Sequence, residues 1–426
     1  MRVPPAGSFR GVFTLPGDKS VTHRAYLFGA LARGTTVVSG ASRGEDCLST
    51  RRCVEALGAR VEDGTGEDSG LVRIHGGALR AAPAPLDCGN SGTTMRLLMG
   101  LLAGLPGAHE LTGDESLKRR PMERVARPLR QMGARITTTE GHAPVLVEGS
   151  ALTGADITPE AASAQIKGAL LLAGLSAQGL TRVREPLATR DHSERMLPLF
   201  GARLEVTPQS VSLTGPQTLQ GATLRVPGDP SSAAPFVVAA LIRPDSEVVI
   251  ENVLLNPHRT GFIEVLRSMG ADIVVEPGSE PAGGDVVGRI IARSSKLHGV
   301  TVPEESVPAV VDELPILAVA AAFADGVFVV RGASELRVKE SDRIATLAEG
   351  LRALGASVIE YPDGFRVMGG PALTGAKVSS HGDHRIAMAM AVAALGASGD
   401  TDIEGAEAVA ISLPRFFEEL RRGSAA

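Results

Sequence analysis

Six basic side chains in this sequence stand beside polar turns, where each could contact an anion. They are Lys19, Arg24, Arg120, Lys339, Arg343 and Arg385. A guanidinium can bind a carboxylate or a phosphate through two parallel hydrogen bonds, and an ammonium binds the same groups as a compact point charge. If the six converge, their ligands carry several negative charges between them. The carboxylates of Asp312 and Glu340 would then supply acid–base chemistry, because neighbouring cations favour the ionised form of a carboxyl group.

Three further segments carry mainly hydroxyl and amide groups. Asn90-Ser91-Gly92-Thr93 has a glycine where backbone N–H groups can approach a ligand closely. Ser163-Ala164-Gln165-Ile166-Lys167 and Thr189-Arg190-Asp191-His192-Ser193-Glu194 suit recognition of a polyhydroxylated ligand rather than bond cleavage. Lys19 and Ser20 follow a glycine, but the Gly-x4-Gly-Lys-Ser spacing of a nucleotide-binding loop is absent, which argues against that kind of site.

Each motif taken alone also has a simpler explanation. Asn90 and Gly92 are compatible with an ordinary capped turn, and Arg120 with a solvated basic loop. Lys339 and Arg343 have the i, i+4 spacing of a surface ion-pair network on one helical face. The combination is more specific than any part, because the six cations come from different segments and each lies near a predicted helix start or loop end.

The elements that position these motifs repeat along the chain. Six times, at a spacing of about 70 residues, a polar motif runs directly into an apolar, Ala/Leu-rich stretch, and such a period indicates a repeated supersecondary unit. The six motifs are Lys19-Ser20, Asn90-Ser91-Gly92-Thr93, Ser163-Ala164-Gln165-Ile166-Lys167, Asp229-Pro230-Ser231-Ser232, Asp312-Glu313 and Asp383-His384-Arg385. A helix start has unpaired N–H groups and a partial positive charge, so each junction is a candidate anion site.

A second repeated signal marks where helices end. Glycine is favoured just past a helix because it tolerates a left-handed backbone. The tetrads with this glycine are Leu57-Gly58-Ala59-Arg60, Met132-Gly133-Ala134-Arg135, Phe200-Gly201-Ala202-Arg203, Met269-Gly270-Ala271-Asp272 and Leu354-Gly355-Ala356-Ser357. Each unit is therefore predicted as helix, turn, strand, loop, helix, turn, strand, and the sixth lacks the second half.

Length and composition set the class of protein. A chain of 426 residues exceeds one ordinary core, so two domains of three units each are expected. The net charge of −5 and the 3% aromatic content argue against a nucleic-acid partner. No run of about 18 apolar residues predicts a membrane span, and the N-terminus lacks an apolar signal core. The three cysteines have no metal-ligand spacing and no even disulfide set, which predicts a cytoplasmic location.

Nearly the whole chain resembles the 5-enolpyruvylshikimate-3-phosphate synthase family, the 3-phosphoshikimate 1-carboxyvinyltransferases. The matching segments are Gly17-Asp18-Lys19-Ser20-x3-Arg24, Gly89-Asn90-Ser91-Gly92-Thr93, Arg120-Pro121-Met122, Ser163-Ala164-Gln165-Ile166-Lys167, Arg337-Val338-Lys339-Glu340-Ser341-Asp342-Arg343 and Asp383-His384-Arg385. The resemblance implies an α/β fold of two similar globular domains, each built from three βαβαββ repeats, as an inside-out α/β barrel. One domain would comprise residues 1–17 and 230–426, and the other residues 18–229.

The resemblance also implies a reaction, in which the enolpyruvyl group of phosphoenolpyruvate passes to the 5-hydroxyl of shikimate 3-phosphate by addition–elimination. Asp312 resembles the base for the hydroxyl, Glu340 the proton donor to the methylene carbon, and Lys19 a stabiliser of both steps. The implied contacts to shikimate 3-phosphate are Lys19, Ser20, Arg24, Ser163, Ala164, Gln165, Arg190, Asp312 and Lys339. The implied contacts to phosphoenolpyruvate are Lys19, Asn90, Gly92, Arg120, Gln165, Arg343 and Arg385. No metal or redox cofactor is implied.

Within the family, the chain resembles the second, glyphosate-tolerant class through Ser163-Ala164-Gln165-x-Lys167 and Arg190-x-His192-x-Glu194. It departs at Asn256-Pro257-His258-Arg259, where that class carries Asn-x-Thr-Arg, so tolerance of glyphosate as an inhibitor is left open. It also has Ile411-Ser412-Leu413-Pro414 where some members place a lysine. A monomer is expected.

Two other functions share parts of this pattern. UDP-N-acetylglucosamine enolpyruvyl transferase has the same fold and donor, but it uses a cysteine five residues before the Arg-Pro pair, and here Glu115 stands there. A non-catalytic anion-binding clamp would gain nothing from carboxylates such as Asp312 and Glu340 beside anionic ligands. Both are less consistent with the sequence than the synthase.

Overall fold

The computed structural model describes residues 1–278, 281–370 and 372–425. The chain forms two compact units, each treated separately below. The flanking unit comprises Met1–Pro16, Gly228–Pro281 and Val286–Ala426, and the inserted unit comprises Gly17–Pro227 and Ala282–Asp285. Among the described residues, no helix is long and apolar enough to cross a membrane.

Strands occur throughout both units. They are β1 (Arg2–Val3), β2 (Arg10–Thr14), β3 (Gly34–Ser39), β4 (Arg60–Asp63), β5 (Leu71–Gly76), β6 (Leu86–Asp87), β7 (Ala108–Thr112), β8 (Arg135–Thr139), β9 (His142–Glu148), β10 (Asp156–Ile157), β11 (Gly179–Arg184), β12 (Glu205–Thr207), β13 (Ser210–Gly215), β14 (Thr223–Arg225), β15 (Glu247–Leu254), β16 (Asp272–Pro277), β17 (Val287–Arg293), β18 (Val327–Val330), β19 (Ser357–Tyr361), β20 (Gly364–Met368), β21 (Lys377–Ser379) and β22 (Thr401–Glu404).

Helices alternate with these strands, as the repeat predicts. They are α1 (Lys19–Leu31), α2 (Glu45–Ala56), α3 (Gly92–Ala103), α4 (Glu115–Lys118), α5 (Glu123–Gln131), α6 (Ala164–Gly174), α7 (His192–Met196), α8 (Pro230–Ile242), α9 (Gly261–Ser268), α10 (Val307–Val310), α11 (Leu314–Ala322), α12 (Arg343–Ala353), α13 (His384–Gly396) and α14 (Phe416–Ser424).

The strands form six small sheets, three in each unit. The inserted unit has the orders β14-β3-β5-β4, β6-β7-β9-β8 and β10-β11-β13-β12, and the flanking unit has β16-β17-β15-β2, β18-β20-β19 and β1-β22-β21. The predicted α/β class is confirmed. The sheets remain separate, and within the described ranges none closes into a barrel, so the word barrel does not describe the strands.

Three helices occupy the interior of each unit, with the sheets packed around them. In the inserted unit α1, α3 and α6 are buried along nearly their whole length, and in the flanking unit α8, α11 and α13 are buried likewise. A helix that is apolar on every side is stable only in such a position. All six begin at or within two residues of the predicted polar motifs, so those motifs lie at the starts of buried helices.

The predicted helix ends are also confirmed. Gly58, Gly133, Gly201, Gly270 and Gly355 all have positive φ values, between 83° and 105°. This left-handed conformation favours glycine, because other residues would place Cβ against the backbone. The glycines turn the chain from helix towards the next strand in five of the six repeats.

Candidate active site

Arg343 is the centre of a buried ionic cluster in the flanking unit. It is the first residue of α12, and its side chain is 1% exposed. Its Nε lies 2.8 Å from Asp383 Oδ2, its Nη2 lies 2.6 Å from Glu340 Oε2, and its Nη1 lies 3.4 Å from Asp312 Oδ1. Burial by itself lowers the pKa of this guanidinium, but the surrounding carboxylates outweigh burial and hold the pKa above its usual value. Arg343 therefore remains a cation among three carboxylates.

Lys339 joins this cluster through Asp312. Its Nζ lies 3.7 Å from Asp312 Oδ1 and 3.9 Å from Glu335 Oε1. Burial lowers the pKa of Lys339 below a lysine's usual 10.5, and the two carboxylates offset part of this effect. The predicted shared helical face is wrong, because Lys339 is extended after a 3₁₀ turn at Ser334–Val338 and only Arg343 belongs to α12. The tertiary structure brings both cations to the same carboxylate.

Arg385 lies in the first turn of α13, where Asp383 caps the helix. Its Nη1 lies 3.2 Å from Glu313 Oε1. Glu313 is fully buried at the start of α11 and also accepts a hydrogen bond from Ser231 Oγ. Glu313 was not among the predicted site residues. The sequence signal that could have identified it is its position directly before a wholly apolar helix. Such a helix is buried, and a buried carboxylate needs a cationic partner.

In the inserted unit, α1 begins with Lys19 and Ser20 and carries Arg24 one turn later. Lys19 Nζ lies 2.8 Å from Asp46 Oδ2. Arg24 is 3% exposed, and it donates from Nε to Ser193 Oγ at 2.8 Å and from Nη1 to the Ser20 carbonyl at 3.0 Å. These contacts fix the Arg24 guanidinium one turn below the start of the helix.

Gly92 begins α3 between two guanidinium groups. A Cβ at this position would lie 3.0 Å from Arg96 Nη1 and 3.3 Å from Arg120 Nη1. Arg120 Nη2 donates to Asn90 Oδ1 at 2.6 Å, and Arg96 Nη1 donates to Gln165 Oε1 at 2.6 Å. The structure therefore places Asn90, Gly92, Arg120 and Gln165 close together, along with Arg96, which was not among the predicted site residues. The helix after Arg120 is α5, which begins at Glu123.

The start of α6 carries Ser163, Ala164 and Gln165. Ser163 caps the helix, and Gln165 Nε2 donates to Thr93 Oγ1 at 2.9 Å. Arg190 lies in the loop between β11 and α7, half-buried. These groups can hydrogen-bond a hydroxylated ligand, as the sequence predicts.

Lys167 lies one turn into α6 and is a buried cation between two carboxylates. Its Nζ lies 2.6 Å from Glu185 Oε2 and 2.5 Å from Glu194 Oε1. Burial raises the pKa of Glu194, and Lys167 opposes that rise. Because Glu194 follows Ser193, the partner of Arg24, this pairing anchors the turn that holds Arg24.

The site residues fall into one cluster in each unit, and both clusters are rich in cations at helix starts. Within residues 1–278, 281–370 and 372–425, no group of three or more His, Cys, Asp or Glu side chains is arranged to hold a metal ion. The cysteines are buried thiols, and burial raises the pKa of Cys47, so it is a poor nucleophile. The arrangement can bind anions and can move protons through Asp312 and Glu340.

The fold is shared with the enolpyruvyl transferase NikO from Streptomyces tendae, at a TM-score of 0.80 and 19% identity over 99% of this chain and 96% of that one. At that identity the likeness concerns the fold alone. The comparison with NikO therefore establishes the class of fold, an α/β fold in which this chain carries cations at buried helix starts.

Closer relatives identify the family. The family model for EPSP synthase (3-phosphoshikimate 1-carboxyvinyltransferase) matches residues 3–420. A 3-phosphoshikimate 1-carboxyvinyltransferase from Halorhodospira halophila is 52% identical over 99% of this chain and 95% of its own length, and one from Synechococcus sp. (strain JA-3-3Ab) is 50% identical over 99% and 96%. The structure of EPSP synthase from Acinetobacter baumannii has a TM-score of 0.86 and 46% identity, covering 99% of this chain and 97% of that one. The chain belongs to the EPSP synthase family.

Proposed function

We propose that this chain transfers the enolpyruvyl group of phosphoenolpyruvate to the 5-hydroxyl of shikimate 3-phosphate, in the shikimate pathway to chorismate and the aromatic amino acids. The products are 5-enolpyruvylshikimate 3-phosphate and inorganic phosphate. The observation that carries this proposal is the match of the family model to residues 3–420, and the carboxylates of Asp312 and Glu340 beside the Arg343 guanidinium support it.

The proposed addition step uses the two carboxylates beside Arg343. Glu340 donates a proton to the methylene carbon of phosphoenolpyruvate, which makes C2 electrophilic. Asp312 accepts the proton of the 5-hydroxyl as its oxygen bonds to C2, which gives a tetrahedral ketal. Support comes from Asp312 Oδ1 and Glu340 Oε2, which lie 3.4 Å and 2.6 Å from the Arg343 guanidinium. Arg343 thus fixes the positions of both groups.

In the proposed elimination step, Glu340, ionised after the addition, takes a proton from the methyl carbon of the ketal as the C–O bond to phosphate breaks, which forms the enol double bond. The departing phosphate gains negative charge, so cations fixed in advance stabilise the transition state. We assign this role to Lys19, Arg120, Arg343 and Arg385. Asn90, Gly92 and Gln165 are the proposed neutral contacts to phosphoenolpyruvate.

The proposed contacts to shikimate 3-phosphate include both charged and neutral groups. Arg24, Lys339 and Arg190 suit its phosphate, and Ser20, Ser163 and Gln165 suit its hydroxyls, with Lys19, Ala164 and Asp312 completing the set. The buried guanidinium of Arg24, held by Ser193, supports a fixed anion contact. No metal or redox cofactor is required by this scheme.

Phosphate release from phosphoenolpyruvate tests the reaction, first with shikimate 3-phosphate and then with UDP-N-acetylglucosamine as the acceptor. We expect release only with the former. Release only with the latter would favour the alternative transferase, and binding of both ligands with no release would favour an anion-binding clamp.

Variants test the assigned roles. Glu340→Gln and Asp312→Ala should keep shikimate 3-phosphate binding measurable and lose most turnover, about 100-fold or more, because acid–base groups contribute on that scale. The exposed α12 carboxylate variant Glu349→Gln is the matched control and should retain activity. Full turnover in both site variants would refute the roles.

We further propose that the enzyme is a cytoplasmic monomer of the glyphosate-tolerant class. The buried, reduced thiols of Cys47, Cys53 and Cys88 are consistent with a reducing compartment. The class assignment is supported by the Lys167–Glu194 ion pair, which joins its two motifs. If glyphosate inhibited phosphate release at a concentration equal to the KM for phosphoenolpyruvate, the class assignment would be contradicted. Sedimentation tests whether the protein is a monomer.

A further inference from the structure

The segment Asn256-Pro257-His258-Arg259, which has no place in the proposed reaction, ends in a deeply buried arginine. Arg259 is 2% exposed, and its Nη2 donates to Asp229 Oδ1 at 2.8 Å and to Ser231 Oγ at 2.9 Å. Asp229 is the N-cap of α8, and Ser231 lies in the first turn. Arg259 is therefore fastened to the start of a buried helix.

The hydroxyl of Ser231 connects this arginine to a second ionic pair. Ser231 Oγ accepts from Arg259 and donates to Glu313 Oε1, which also accepts from Arg385 Nη1 at 3.2 Å. Glu313 is fully buried, whereas the side chain of Arg385 is 11% exposed. The contacts run from the buried Arg259 to the partly exposed Arg385.

This network contains ions of both signs. Arg259 and Arg385 supply two positive charges, and Asp229 and Glu313 supply two negative charges. A buried carboxylate that lost its cation would be strongly unfavourable, so each ion holds its partner in place. The network joins the starts of α8, α11 and α13, all within the flanking unit.

We propose that Glu313 is a positioning residue that orients Arg385 towards phosphoenolpyruvate, and that Ser231 and Arg259 hold Glu313 in turn. The inference rests on the proposed role of Arg385 as a contact to that substrate. Because Glu313 Oε1 accepts from one terminal nitrogen of Arg385, it limits rotation of the guanidinium and presents the remaining N–H groups in a fixed direction. A pre-oriented guanidinium loses less conformational freedom when the anion binds.

Steady-state kinetics of Glu313→Gln test this role. The amide keeps the size of the side chain and removes its charge, so we expect the KM for phosphoenolpyruvate to rise about tenfold, the scale of one charge-assisted hydrogen bond. The KM for shikimate 3-phosphate should stay within about twofold. An unchanged KM for phosphoenolpyruvate, or equal rises in both constants, would overturn the proposal.

Ser231→Ala provides a gentler test that does not unpair a buried charge directly. We expect a rise of a few-fold in the KM for phosphoenolpyruvate, because Glu313 loses one of its two hydrogen-bond donors. Ser232→Ala is the matched control, since Ser232 is the next residue of α8 and is 4% exposed against 3% for Ser231. Equal effects of the two substitutions would contradict the proposal that Ser231 holds Glu313, which in turn orients Arg385.

A double variant separates positioning from general destabilisation. In the Arg385→Lys background, Glu313→Gln should raise the KM for phosphoenolpyruvate less than it does in the wild type, because the guanidinium that it orients is gone. Fully additive effects would contradict the proposal. Failure of the proposed function is distinguishable, because the wild-type protein would then release no phosphate with shikimate 3-phosphate.

Discussion

The two clusters differ in how they hold their cations. In the flanking unit, Arg343 contacts three carboxylates, of Asp312, Glu340 and Asp383. In the inserted unit, Arg24, Arg96 and Arg120 donate to the neutral oxygens of Ser193, Gln165 and Asn90, and Lys19 pairs with the carboxylate of Asp46. A carboxylate beside a cation provides a group that can exchange a proton, whereas a hydroxyl or amide oxygen orients a guanidinium and adds no charge of its own. We infer that the flanking cluster contributes the acid–base groups and that the inserted cluster contributes mainly anion binding.

The inserted unit has its own carboxylate-rich network, and its members Lys167, Glu185 and Glu194 are not among the proposed substrate contacts. Lys167 is 1% exposed, with Glu185 and Glu194 on either side of its ammonium. This ion triad anchors the segment that carries Ser193, whereas Arg343 contacts the proposed catalytic carboxylates directly. The comparison therefore predicts that loss of Arg343 removes both stability and turnover, and that loss of Lys167 mainly reduces stability.

Arg343→Gln should have the largest effect. It leaves the buried carboxylate of Asp383 and the partly buried carboxylates of Asp312 and Glu340 without their shared cation, so we expect the free energy of unfolding to fall by about 3–5 kcal/mol and turnover to be lost. Denaturant unfolding followed by far-ultraviolet circular dichroism measures the first, since the chain has no tryptophan. Lys377→Gln, which removes an exposed pair with Glu404 in the same unit, is the control and should leave unfolding unchanged. Wild-type stability in Arg343→Gln would contradict the buried cluster.

Lys167→Met should have the second-largest effect, lowering the free energy of unfolding by about 3 kcal/mol near neutral pH. This decrease in the free energy of unfolding should be smaller at acidic pH. Burial raises the pKa of Glu194 above the 4.5 of an exposed glutamate, so its protonation favours the folded state, and this contribution disappears as pH rises through the folded pKa. In the Lys167→Met variant the pKa of Glu194 should be raised further, because no ammonium group opposes the effect of burial. Unfolding of the variant and the wild type at pH 5 and pH 8 checks this, and a deficit that is equal at both values would refute it.

Lys339→Arg should have the smallest effect. Burial lowers the pKa of Lys339 below 10.5, so the wild-type lysine loses its charge at lower pH than an exposed lysine does. We expect kcat/KM for shikimate 3-phosphate to fall on the alkaline side, and this fall to move to higher pH in the variant, because a guanidinium stays charged. A pH profile of kcat/KM measures it. Identical alkaline limbs in the two proteins would exclude Lys339 as the titrating group.

Much of the fold could be predicted from local signals. Asp18, Ser91, Ser163, Asp229 and Asp383 cap the helices that the motifs predict. Capping and helical periodicity act over a few neighbouring residues, so they can be read from one sequence. The prediction that Lys339 and Arg343 share one helical face was wrong. Their i, i+4 spacing does not show that a 3₁₀ turn and the extended Lys339 precede α12.

The sequence by itself determined the repeated helix starts, the cations beside them and the membership of the family. Only the tertiary structure decided which charges pair. Arg343 meets Asp383 across 40 residues, and Arg385 meets Glu313 across 72. Such pairs form because buried helices bring distant starts together and because a buried charge needs a partner. No local pattern specifies that choice, so the role of Glu313 became visible only once the chain was folded.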